Sequence, residues 1–416
     1  MPQVGGDYRT WPKLTDLFPW QQTGAKLHRS WPIAPFESTL AERWKEFLSG
    51  NEAQRTAWFG ETRDRKIGEQ YADLNGAEKL PALSTLTKHA QPPRLEHYGY
   101  RSFDRQWVMA DTRMGDYLRP PLWQALSEKQ VYLTSMITKQ LGSGPSITAS
   151  IYVPEIDYFS GRGGKDILPL YRDAAAAQPN ITAGLLEALA AVYGRPVSPE
   201  DLLAYVYALL GAVGYADLYS AELATPGPHV PITRDAALFG RVAAAGRRLL
   251  GIQTYGQRLG TPYRGKAQNT KAVPTTPDDY PRSLQKDVKY DDARQELHVG
   301  EGIFAPVSAE VWNFSVSGLQ VVRSWLGYRM AERSGKKSSP LDDIRPERWP
   351  LEYTKELLEL LWLLEGTLEM QPTLSALLDE VIAGELLQAG QLPQPSQEER
   401  EAPKLERKGG VQSGLF

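Results

Sequence analysis

Apolar positions along this chain come in two textures. From His97 to about Tyr171 they fall in short runs, "QWVMAD", "QVYLTSMIT", "SITASIYVP" and "DILPLY". These runs are rich in β-branched and aromatic residues and are separated by turn residues, which predicts the strands of a sheet. From Ser198 onward the apolar positions recur at helical spacing. In "SPEDLLAYVYALLGAVGYADLY" a capping Ser198, a first-turn Pro199 and the acids Glu200 and Asp201 mark a helix start. Leu202, Val206, Leu209 and Leu210 then share one face. "PITRDAALFGRVAAAGRRLLG" repeats the design, with Thr233 and Asp235 as caps and Leu238, Phe239, Val242 and Leu249 as the stripe. "VKYDDARQELHVG" alternates as a hairpin does, "AEVWNFSVSGLQVVRSWLGYRMAER" leads into a helix, and "TKELLELLWLLEGTLEMQ" predicts an apolar helix of about four turns. Nearer the N-terminus, "STLAERWKEFLSG" predicts a helix starting at Ser38 or Thr39 and stopping at Gly50.

These elements predict an α+β fold: a mixed, β-rich lobe followed by helical segments and a second, smaller α+β lobe. Residues 1–95 read as a joining segment with one or more helices. The β-rich lobe with its helices spans 96–260. A Pro/Thr/Gly-rich loop or linker covers 261–285, a hairpin plus helices covers 286–385, and 386–416 reads as a disordered tail. No internal repeat is visible.

Composition narrows the chemistry. The chain has 416 residues and no cysteine, which excludes disulfides, thiolate metal sites and a Cys nucleophile. Formal net charge is −3, so any nucleic-acid contact needs its cations gathered on one face. The N-terminus lacks a signal pattern and no apolar run approaches the roughly 18 residues of a membrane span. The expected location is cytoplasmic, with no membrane partner.

Most catalytic signatures are missing. No Asn-Pro pair occurs, so an amino-methyltransferase motif is lacking. "SGRGGKD" lacks the phosphate-loop spacing, with Asp166 where a hydroxyl belongs. The five histidines, at 28, 89, 97, 229 and 298, are scattered. Asp278 followed by Asp287-Val288-Lys289 mimics a metal-dependent nuclease signature, but Pro277-Asp278 lies in a Pro/Thr-rich loop.

Two arginine–aromatic constellations remain. In 97–123, Arg101, Arg105, Arg113 and Arg119 interleave with Tyr98, Tyr100, Phe103, Trp107 and Trp123. In 321–349, Arg323, Arg329, Arg333, Lys336 and Lys337 lie on or after a helix carrying Trp325 and Tyr328. Arginines of this kind contact phosphates and base edges. The structural alternative is ion pairing, Arg101 with Asp104 or Arg105 with Asp111, with the rings in a core.

At these residues the chain resembles a known family. "HYGYRSFDRQWVMAD" is similar to the motif opening the target-recognition region of large adenine-specific DNA methyltransferases, the type ISP restriction–modification enzymes and their type IIG-like relatives. "YLTSMITKQ", with Lys139 where the family has Arg, follows in the family's order. So do "DILPLYRD", "EDLLAYVYALLGAVGYADLYSAEL", "HVPITRDAALFGRVAAAGRRLLGIQ", "VWNFSVSGLQVVRSWLGYRM" and "SSPLDDIRP". The resemblance covers roughly residues 15–370. The family's methyltransferase, nuclease and motor parts have no counterpart here, which implies a fragment, or a separate specificity subunit acting in trans.

The resemblance implies a restriction–modification or phage-defence specificity module that binds double-stranded DNA. It would position the duplex for a methyltransferase domain or subunit, and S-adenosylmethionine is expected in that partner, with no cofactor in this chain. The residues expected to touch the DNA backbone are Lys139, Arg162, Lys165, Arg323, Arg329, Lys336 and Lys337. Gln140, Ser160 and Arg162 are expected near the bases. Tyr100, Phe103, Trp107 and Trp325 are assigned to the core. The alternative is a protein-docking module without DNA contact of its own.

Overall fold

The computed structural model describes residues 8–137, 144–159, 166–259, 270–272, 280–332 and 337–404. It is an α+β fold of several small antiparallel sheets around a layer of helices. The expected N-terminal helix runs Glu37–Ser49 and ends at Gly50. A second helix, Glu52–Phe59, follows at once. Its capping box is Asn51 with Gln54, each side chain bonding the other's backbone NH. Trp31, Trp44, Phe47 and Phe59 bury the inner face of this pair.

The stretch quoted first in the resemblance is a hairpin, Leu95–Arg101 against Asp104–Met109, with Ile33–Ala34 as third strand. Tyr100, Phe103 and Trp325 are buried, as expected, and so is Tyr98. Trp107 is half-buried and packs at a tilt against His97 with ring centroids 3.9 Å apart. The short runs that follow form one four-stranded sheet in the order Gln22–Thr23, Asp166–Pro169, Tyr132–Ser135, Ile147–Ser150. Every neighbouring pair is antiparallel.

Beneath this sheet lies the helical layer. Ser198 caps Pro199–Leu210 by accepting from the Asp201 NH, and Asp235 caps Ala236–Gln253 by accepting from Ala237 and Leu238. Every residue from Leu202 to Leu210 is buried. The two helices approach so closely that a methyl added at Gly246 would overlap the Ala204 carbonyl oxygen. The apolar helix expected at 354–371 is longer, Leu351–Ala383, and carries Pro372 inside it. "VKYDDARQELHVG" forms the expected hairpin, Val288–Asp291 with Glu296–Val299. Gly302–Ala305 and Lys271–Ala272 complete that sheet.

Two expectations about organisation differ from the structure. One apolar core takes residues from Tyr8 to Leu392, so the 261–285 segment does not separate two cores. Residues 386–404, expected as tail, are held to the body. Leu386–Leu387 pairs with Ile232–Thr233, and Arg400 bonds Asp16 at 3.1 Å. Burial of Leu387 and Leu392 supplies the apolar anchors that composition alone concealed.

Candidate nucleic-acid interface

The strands that carry most of the expected contacts end side by side. Ser135 is opposite Asp166 on one side and Ile147 on the other. Antiparallel pairing sends the chain after Ser135, before Ile147 and before Asp166 off one edge of the sheet. Lys139 and Gln140 follow the first of these points, and Ser160, Arg162 and Lys165 precede the last. Those five residues, together with Lys336, lie outside the described residues, but their anchors do not. The Ile137 NH donates to Asp166 Oδ2 at 3.0 Å, and Asp166 itself is buried.

A second element reaches the same edge. A Cβ on Gly144, whose φ is +97°, would run into the Ser315 carbonyl oxygen. Ser315 begins a tight hairpin, Ser315–Val316 against Leu319–Gln320. Its corner residues Ser317 and Gly318 have φ of 47° and 84°, the left-handed pair that a two-residue hairpin turn requires. The helix Val321–Gly327 leaves this turn and carries Arg323. The guanidinium lies 4.0 Å over the Trp312 ring and donates to the Trp312 carbonyl and to Asn313 Oδ1 at 3.3 and 3.2 Å. No described carboxylate pairs with it. Partial burial lowers its pKa from the ordinary arginine value. A held cation with no acid beside it suits a phosphate oxygen.

Lys337 is exposed and pairs with Asp343 at 2.6 Å, a solvated pair that an incoming phosphate competes with at little cost.

Arg329 corrects the expected set. Its side chain is 0% exposed and bonds Asp104 at 2.9 Å and Glu356 at 3.1 Å. Its guanidinium sits 3.8 Å over the Trp325 ring. With two carboxylates and a ring around it, Arg329 has no face left for DNA. It ties the first hairpin to the long C-terminal helix instead. Three of the four arginines of the 97–123 run also have carboxylate partners, though not those expected from sequence. Arg101 pairs with Glu155 at 2.5 Å, Arg105 with Glu359 at 2.6 Å, and Arg113 with Asp111 at 2.6 Å. Burial raises the pKa of Glu155, against the pull of Arg101. Arg119 differs from the other three: it has no described carboxylate partner, and its Nε is buried with no hydrogen bond.

The nuclease mimic has a structural explanation for one of its acids. Asp287 Oδ2 accepts from the backbone NH groups of Arg282 and Ser283 at 2.5 and 3.1 Å, so this carboxylate closes a turn. Asp278 lies outside the described residues. Among the described residues no group of three or more acids and histidines is placed to hold a metal, and no helix is long and apolar enough to cross a membrane.

One contributor to the edge carried no sequence signal. Gln22–Thr23 adds an outer strand, with Thr23 opposite Asp166. Two residues of strand cannot be recognised by periodicity, and the run lay in the stretch read as a joining segment.

Comparison with known proteins places this geometry. Residues 16–360 match the model of the Type ISP C-terminal specificity domain. No curated protein sequence matches the chain. Solved structures that share its fold include three DNA complexes. The ATP-dependent Type ISP restriction-modification enzyme LlaBIII bound to DNA aligns with TM-score 0.60 at 16% identity, over 92% of this chain and 25% of that one. The DrdV–DNA complex aligns with TM-score 0.58 at 18% identity, over 91% and 36%. A nuclease-deletion mutant of the Type ISP enzyme LlaGI, in complex with a DNA substrate mimic, aligns with TM-score 0.56 at 14% identity, over 89% and 29%. The chain therefore spans about a third or less of the length of these proteins.

Proposed function

We propose, from the premise that this chain belongs to the Type ISP C-terminal specificity domain family, that it recognises a short duplex DNA sequence. It would hold the duplex for a methyltransferase domain elsewhere in a longer protein or on another subunit. The observation that carries this reading is the single sheet edge from which the Lys139 and Arg162 segments depart, with Arg323 on the element that reaches it and paired with no described carboxylate. The DNA in the solved structures of similar fold supports it.

Lys139, Arg162, Lys165, Arg323, Lys336 and Lys337 contact phosphates in this proposal and set affinity and orientation. Gln140, Ser160 and Arg162 face base edges, where bidentate amide and guanidinium contacts discriminate by about 1–3 kcal/mol each. The methyl donor, S-adenosylmethionine, is assigned to the methyltransferase domain, which would take the target adenine out of the stack.

Selection from a random duplex pool tests the reading. Enrichment of one short motif by the purified chain is the expected result. Recovery of an unchanged pool, together with capture of a methyltransferase chain in its place, would favour a docking module with no DNA contact.

A further inference from the structure

We infer that Lys26, Tyr117 and Arg119 form a separate receptor for a phosphodiester of duplex DNA, flanking the sheet edge on the side of the N-terminal segment. This rests on the DNA-recognition reading.

The argument starts from charge. Of the four arginines in 97–123, three have a carboxylate within 2.6 Å. Arg119 is half-buried with no described carboxylate beside it, and its Nε is buried with no described hydrogen-bond partner. Burial depresses its pKa, with only the neighbouring Tyr117 opposing. A guanidinium stripped of part of its water and left unpaired is costly, and an arriving anion would relieve that cost. Its backbone adds a second sign. Arg119 is held at φ 58°, a left-handed conformation that disfavours side chains other than glycine and concentrates at functional sites.

The neighbours complete a site. The guanidinium lies 5.4 Å from the centroid of the Tyr117 ring, which is 37% exposed and thus among the few large rings open to solvent. Lys26 and Tyr117 are directly opposite in a two-way backbone bridge, with N···O distances of 2.7 and 3.0 Å, so their side chains share a face. No described acid pairs with Lys26. The one carboxylate at the Tyr117 hydroxyl, Asp64, is itself held by Arg63 at 2.9 Å. Asp116, next in sequence, is buried and taken by Arg29 and His28. Two uncommitted cations beside a ring match a phosphate with two free oxygens.

Position favours DNA over another anion. Thr23 is opposite Asp166 at the sheet edge, and the chain continues past that edge through Ala25, bridged to Glu155, to Lys26. Lys26 is three residues along the chain from Thr23, so at about 3.3 Å per residue it lies at most about 10 Å from the edge from which the recognition segments depart. That is within the span of a duplex lying across it.

The test compares the full chain with Lys26→Gln, Arg119→Gln and the double variant, all first checked for an unchanged melting curve. Each is titrated with duplex DNA across salt concentrations. Losing two phosphate contacts should lower the slope of log K against log salt by about 1.8, an affinity loss of about 30-fold at 0.15 M if the counterion effect vanishes near 1 M. Footprinting of Arg119 with an arginine-directed dicarbonyl gives the direct reading. Protection by duplex DNA, and none by polyglutamate, supports the site. Wild-type binding with the slope and footprint unchanged overturns the site and leaves the DNA-recognition reading intact. Protection by polyglutamate alone assigns the patch to an acidic protein surface and overturns it. Absence of any wild-type binding overturns both.

Discussion

Arg329 separates two accounts of the same residue. In one it is a surface cation for DNA. In the structure it is a fully buried bridge between Asp104, which is 2% exposed, and Glu356. Arg329→Met keeps much of the volume and removes the charge. It strands the Asp104 carboxylate in the core, with Gln106 at 3.1 Å as its remaining side-chain donor. Burial already raises the pKa of Glu356, and Arg329 is the leading opposing influence. Removing one member of a buried ion pair costs about 3–5 kcal/mol. An unfolding entropy of about 2.1 cal/mol/K per residue over 416 residues is about 0.9 kcal/mol/K, so 4 kcal/mol lowers Tm by about 5 °C. Differential scanning fluorimetry reads this directly. Adding Asp104→Asn should restore part of the loss, because the stranded charge goes with it. The reasoning is refuted if Arg329→Met melts with the wild type while its DNA affinity falls, since that is how an exposed phosphate contact behaves.

Further outcomes follow from the same geometry. Gly246→Ala should destabilise by several kcal/mol, because the added methyl meets the Ala204 carbonyl across two packed helices; chemical denaturation reads it. Cutting the chain after Gly384 removes the strand on Ile232–Thr233 and the Arg400–Asp16 pair, and should lower Tm and expose the 13–23 segment to protease. Burial lowers the pKa of His229 and of His97, Arg105 adding to the effect at His97. Both fold as neutral imidazoles, so their share of stability is present above the unfolded value near 6.5 and is lost as pH falls below it. A Tm-against-pH profile should therefore sag below about 6.5, less so in His97→Gln; an identical sag in the variant would remove His97 from the account. Arg323→Gln should reduce the salt slope of DNA binding by about 1 with Tm unchanged.

The readable parts of this protein were those governed by local chemistry. Ser198 and Asp235 cap the helices their side chains announce, and the alternation in 288–299 gives its hairpin. The long helix was read only as far as Gln371, one residue before Pro372. A proline removes one hydrogen bond, and Leu374, Leu377, Leu378 and Val381 continue the buried face beyond it. Arg329 was misread because its partners are distant in sequence, with Asp104 225 residues away. The pairing of Arg101 with Glu155 was hidden for the same reason. Arg119 stood in view among four arginines, but only the three-dimensional partner list distinguishes it from the other three. Family order, carried by loose motifs in sequence, was legible where individual contacts were not.

The central proposal is that this chain grips duplex DNA through the six backbone contacts proposed above, with Lys26 and Arg119 as a flanking site. Fluorescence anisotropy of the purified chain with a labelled random duplex, across salt concentrations and without metal, tests it most directly. Six backbone contacts give a slope of about −5 in log K against log salt, and Lys26 with Arg119 bring it to about −7. That is a loss of about 1,000-fold or more between 50 and 200 mM salt. Binding indifferent to salt, or no binding at all, would contradict the account.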